Sequence, residues 1–122
     1  MEISQFNKKQ YLNIETFKRS GEGVKTPVWF VEDNGKLFIT SLNESGKVKR
    51  IRRNTTVNVA PCNVSGKVLG TWMKAEARII EDIVQIQEID KLLNKKYGLM
   101  KKLFELGGSR NKQNTIAIEI SF

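Results

Sequence analysis

The chain has 122 residues, 39% of them hydrophobic and 28% charged, which suits one globular domain spanning 1–122 and excludes both a two-domain protein and a disordered one. Its 21 lysines and arginines against 13 aspartates and glutamates leave a net charge of +8, which implies an anionic partner: a nucleotide, a polyanionic cofactor, nucleic acid or acidic lipid. There is no histidine and only one cysteine, Cys62, so Ser-His and Cys-His pairs and an internal disulfide are excluded, and any catalysis would rest on a bound cofactor.

The polar start MEISQFNKKQ lacks a signal-peptide core, and no apolar run is long enough to cross a membrane, so a cytoplasmic protein without membrane contact is expected. This opening reads as a short helix or loose arm with Ile3 and Phe6 as its anchors. From Tyr11 to Phe17 polar and apolar positions interleave as in a strand, with Leu12 and Ile14 on one face, and Arg19 to Gly23 supply a turn. A second strand is predicted over Val24 to Glu32. The Asn34-Gly35 pair then forms a hairpin turn, since both residues tolerate positive φ, and leads into a third strand at Lys36 to Ser41. The three strands make an antiparallel meander.

Next comes SGKVKRIRRN, Ser45 to Asn54, in which five of ten residues are basic. Ser45 is a plausible cap for a short helix that puts Val48 and Ile51 on one face and Lys47 and Arg50 close together beside it. Lys47 would stand in the first turn, where the helix dipole is already positive and a cation is unfavourable unless an anion joins it. Two readings fit: a phosphate site built from helix N–H groups, Ser45, Lys47 and Arg50, or a solvated basic face packed by Val48 and Ile51.

A strand follows at Thr56 to Cys62, with Pro61 expected at an edge or bulge, and then a loop at Asn63 to Gly66. A long fifth strand is predicted from Lys67 to Ile80 with a bend at Gly70. On it Met73, Ala75, Ala77 and Ile79 face one way, and Trp72, Lys74, Glu76 and Arg78 the other. From Glu81 to Leu106 the period becomes helical through Ile86, Ile89, Leu93 and Tyr97, with Gly98 dividing the segment into a helical hairpin. The last strand, Asn114 to Phe122, alternates Ile116, Ile118, Ile120 and Phe122 against Thr115, Ala117, Glu119 and Ser121. Roughly six strands, one basic helix and a helical hairpin describe a mainly β protein, a small antiparallel barrel.

In their order, TPVWFV at Thr26 to Val31, FITS, SGKVKR, NVAPCN and the long strand with Trp72 resemble the FMN-binding split-barrel superfamily of pyridoxamine 5′-phosphate oxidase, and within it the small branch of enzymes using coenzyme F420. The likeness spans nearly the whole chain, from Tyr11 to the last strand. It implies a homodimer with FMN or F420 at the interface and hydride transfer to or from a small organic substrate. Lys47, Lys49 and Arg50 would bind the phosphate, with Ser45 and Gly46 forming the turn and Thr40 and Ser41 reaching the phosphate or ribityl chain. Thr26, Pro27, Val28 and Trp29 would line the ring, and Trp72 would close the pocket from the partner subunit.

Each of these residues has a plainer reading: Trp29 and Trp72 as packing, Thr26 as an edge-strand position, Cys62 as a small buried hydrophobe. Arg52, Arg53, Lys95, Lys96, Lys101 and Lys102 read either as solvated faces or as a cationic channel for the glutamate tail of F420. Non-catalytic cofactor binding and single-stranded nucleic-acid binding are the competing functions, and the sparse aromatics weigh against the latter.

Overall fold

The computed structural model describes residues 3–98 and 114–122. A 3-10 turn at Ile3–Phe6 precedes β1 (Tyr11–Phe17), β2 (Gly23–Val28), β3 (Val31–Asp33) and β4 (Lys36–Leu42). Helix α1 (Gly46–Arg53), β5 (Thr56–Cys62), β6 (Met73–Ile80), α2 (Ile83–Tyr97) and β7 (Thr115–Ser121) follow. The strands form a seven-stranded antiparallel sheet in the order β2-β1-β5-β6-β7-β4-β3. Strands β2 and β3 stand at opposite ends of that order, yet only Trp29 and Phe30 separate them in the chain. The sheet must therefore curl until the end of β2 meets the start of β3, which makes it a split barrel whose edge strands are joined by that link and not by a ladder. The expected single strand from Val24 to Glu32 is thus two strands: its first half pairs with β1 and its second with β4.

The side-chain alternation sorts the barrel into an inside and an outside. Leu12, Ile14, Leu37, Ile39, Val57, Val59, Ala75, Ala77, Ile116, Ile118 and Ile120 form the interior. At the end where β4 finishes and β5 begins, α1 buries Val48 and Ile51 completely in the same cluster. At the opposite end Phe6 meets Phe30 edge to face, centroids 5.7 Å apart. Helix α2 lies on the outside, its Ile89, Leu93 and Tyr97 packed with Val31, Ile80 and Ala117. Phe122, expected on the interior face, is 49% exposed beyond the end of β7.

Local chemistry explains the boundaries. Asn34 and Gly35 have φ of 54° and 77°, the doubly left-handed turn that matches strand twist and joins β3 to β4. Pro61 pairs with Leu12, but its carbonyl accepts from Leu69 N at 2.8 Å, on the side where the ladder to β6 has already ended at Val59. Its missing N–H therefore costs no ladder bond. The strand predicted from Lys67 begins only at Met73; before it the chain makes a single bridge from Val68 to Cys62. Gly70 is not a bend within a strand but a close approach. A Cβ there would run into the Gln5 side chain and come 2.8 Å from Pro61 Cγ. Asp82 caps α2 by accepting from Gln85 N at 3.0 Å, and Gly98 ends it at positive φ. The second helix expected over 99–106 lies outside the described residues. None of the described helices is long and apolar enough to cross a membrane.

Candidate functional site

The site grows from the junction of β4 and α1. Ser45 has extended backbone angles and caps α1, its Oγ accepting from Val48 N at 3.3 Å. Four residues earlier, Ser41 ends the interior face of β4 and brings its hydroxyl within 3.0 Å of Ser45 Oγ. Lys47 folds back from the first turn and donates to Ser41 Oγ at 2.9 Å. Arg50, one turn further on, points the same way and donates from Nε to Thr16 Oγ1 at 2.7 Å. Its guanidinium crosses Gly46: a Cβ added there would stand 2.9 Å from Nη1 and 3.5 Å from Cζ, so glycine keeps the space open. Two hydroxyls, a lysine and an arginine thus converge beside the first residues of a helix, where the backbone N–H groups have no intrahelical acceptors.

This neighbourhood is electrostatically unbalanced. Burial, and secondarily the charge of Arg50, pull the Lys47 ammonium below its ordinary pKa. The ion pairs among the described residues join Lys18 to Glu22, Lys36 and Arg78 to Glu119, and Arg52 to Glu81, so none of them gives Lys47 or Arg50 a carboxylate. Two adjacent cations without an acidic partner favour an incoming dianion such as a phosphate monoester.

The other sequence-predicted residues are distributed differently. Lys49 is exposed, and the helical period turns it away from Lys47. Thr40 pairs with Ala117 and faces the outside of β4, opposite to Ser41. Thr26 faces the interior beside Ile14, two positions along β2 from Val24, the partner of Thr16, hence about 7 Å along the strand from the anion cluster's edge. Pro27 points outward with Asn13, and Val28 packs against the interior cluster. Trp29 lies at the β2–β3 junction, about 16 Å along the strand from Val24, with its ring stacked 4.5 Å from that of Tyr97. The structure therefore places Trp29 in packing contact with α2. Trp72 is half-buried, with Lys25 Nζ 5.3 Å from its ring centroid.

Lys96 turns inward, donating to Phe30 O at 2.8 Å and lying 3.6 Å over the Phe30 ring; burial pulls its pKa down to about 8. It is thus committed to the β2–β3 junction and not to a channel. Arg52 is bonded to Asn43 and Glu81, and Lys101 and Lys102 lie outside the described residues. Cys62 is 2% exposed and burial raises its thiol pKa, the opposite of an activated nucleophile. The residue that sequence reasoning missed is Thr16. Its signal was a hydroxyl at the third position of a core face that otherwise reads Leu12, Ile14.

No protein-family model matches the chain, and no curated protein sequence matches it. Solved structures do. A Listeria innocua protein provisionally named pyridoxamine 5′-phosphate oxidase superposes with a TM-score of 0.70 at 17% identity, covering 97% of this chain and 87% of that one. A protein named F420 reductase gives 0.64 at 16%, covering 97% and 90%. HutZ, the haem storage protein of Vibrio cholerae, gives 0.69 at 12%, covering 93% and 82%. The chain has the pyridoxamine 5′-phosphate oxidase-like split-barrel fold.

Proposed function

We propose that this split barrel binds a phosphate-bearing flavin-type cofactor, FMN or coenzyme F420, and acts as an oxidoreductase on a small organic substrate, as a homodimer with the cofactor at the subunit interface. The observation that carries the reading is the Lys47–Arg50 pair, two cations beside one helix start, Lys47 bonded to the Ser41 hydroxyl and Arg50 to that of Thr16, with no carboxylate paired to either among the described residues. The donor set fits a phosphate dianion by charge and by hydrogen-bond type. FMN ends in such a monoester, while the phosphodiester of F420 carries a single negative charge at that point.

When bound, the ring would supply hydride chemistry that no side chain here can. The chain's own groups then have simpler tasks. Ser41 and Ser45 orient the anion, Lys47 and Arg50 neutralise it, and Gly46, lacking a Cβ, leaves room for the Arg50 guanidinium beside the helix start. Thr26 and Val28 on the interior face of β2, Pro27 on the outer face, and Trp72 are the candidates for contact with the ring. A redox role is supported by the structural neighbours named for pyridoxamine phosphate oxidation and F420 reduction. A purely cofactor-holding role is supported by the neighbour named for haem storage.

Titration of the cofactor-free protein with FMN and separately with F420, followed through Trp29 and Trp72 fluorescence and the cofactor spectrum, tests the reading. Saturable binding of one of them is expected. The double variant Lys47→Ala/Arg50→Ala should lose about 1.5 to 3 kcal/mol of binding free energy per charge-assisted contact while keeping the native fold, checked by circular dichroism. Equal affinity in the variant would remove the anion site. Binding of neither cofactor, with single-stranded nucleic acid bound in a steeply salt-dependent way, would transfer the basic surface to nucleic acid.

A further inference from the structure

Thr16 ends the interior face of β1, opposite Val24 on β2, and is 1% exposed. At this position a valine would fill the same space without burying a hydroxyl, and a buried hydroxyl is costly unless it is hydrogen-bonded. The hydroxyl is satisfied by Arg50 Nε at 2.7 Å, across 34 residues of sequence. The consequence lies at the far end of the arginine. With Nε tied down inside the barrel, the guanidinium lies over Gly46, its Nη1 2.9 Å and Nη2 3.6 Å from where a Cβ of that residue would be. Both terminal nitrogens are thereby held beside the opening N–H groups of α1. An arginine on a helix surface otherwise samples many rotamers, and that freedom must be surrendered when it grips a ligand.

We propose that Thr16 is a positioning residue for the anion site, holding Arg50 in its anion-binding orientation before the ligand arrives. The proposal rests on the assignment of Lys47 and Arg50 to a cofactor phosphate. Lys47 is aimed in the same manner by Ser41, so each cation of the pair has one hydroxyl from a strand end as its guide. The two guides come from β1 and β4, which are not neighbours in the sheet, and only barrel closure brings them to one helix.

The test compares wild type, Thr16→Val, Thr16→Ser, Arg50→Ala and Thr16→Val/Arg50→Ala by equilibrium titration with FMN and with F420, alongside the thermal midpoint of each cofactor-free protein. Thr16→Val should weaken binding about tenfold, in line with the ordering cost of one rotamer-rich side chain. Thr16→Ser should restore most of the affinity, and Thr16→Val should have no further effect once Arg50 is gone. In the cofactor-free protein, the Arg50 Nε–H proton should exchange with solvent slowly in wild type and quickly in Thr16→Val. Unchanged affinity in Thr16→Val, or the same loss with and without Arg50, would overturn the proposal while leaving the anion site standing. Binding of neither cofactor by wild type would overturn both.

Discussion

Glu119 is the one acidic residue among the described residues to be buried, at 8% exposure. The alternation of β7 puts it on the outer face beside Ala117, where Lys36 Nζ reaches Oε2 at 2.7 Å and Arg78 reaches Oε1. The Lys36 hydrogen bond, with help from Arg78, outweighs burial and holds the carboxyl below the usual carboxylate value. Because the folded-state pKa is depressed, its stabilisation is present above the ordinary value near 4.5 and lost as pH falls through the folded one. Glu119→Gln should cost about 1 to 2 kcal/mol at neutral pH and flatten the acid loss of stability. Urea unfolding at pH 7 and pH 3 checks this: parallel losses in the two proteins would contradict it. At this scale alternation located Glu119 on the face opposite the isoleucines. That α2 covers that face and buries it was not written in β7 itself.

Among the elements, the β2–β3 junction decides how the sheet closes, and α2 holds it. The Tyr97 hydroxyl accepts from Phe30 N at 3.0 Å and lies 2.8 Å from Gln10 O and 2.9 Å from Phe30 O, carbonyls to which it can donate, while its ring stacks on Trp29. Tyr97→Phe keeps the ring but orphans a buried N–H, so it should destabilise by about 1 to 3 kcal/mol and speed amide exchange at Phe30. Unaltered exchange there would show that the pin is unnecessary. Burial pushes the Tyr97 hydroxyl up to about 12, so its contribution is intact below the unfolded value near 10 and fades as pH rises through 12. The Phe variant should lack that alkaline loss. Helix α1 was legible almost residue for residue, because cap, period and charge all agree within eight positions. The break at Trp29 and Phe30 was not, because the one strand-breaking residue between Val24 and Glu32, Pro27, lies inside β2 and no turn signal marks the break itself; the chain changes partner there only because the sheet curls.

For the molecule as a whole, the proposed dimer is the property to measure first. Val64 and Leu69 are 67% and 52% exposed on the segment that leads to the half-buried Trp72. Sedimentation of the cofactor-free protein should give a particle twice the 14.0 kDa chain mass. A monomer at all accessible concentrations would remove the shared interface from the proposed site. Leu69→Asp should shift the equilibrium toward monomer and, if the cofactor sits at the interface, lower its affinity in parallel.

The amino-acid sequence by itself determined the strands with clean alternation, the Asn34-Gly35 turn, the capped basic helix and the cation pair on its edge, because each rests on residues within a few positions of one another. Tertiary structure alone decided the division of β2 from β3, the late start of β6, the commitment of Trp29 and Lys96 to packing against α2 and Phe30, and the meeting of Thr16 with Arg50. Those depend on contacts between residues far apart in the chain. Only when the sheet curls do β1 and β4 deliver their hydroxyls to the same end of the barrel.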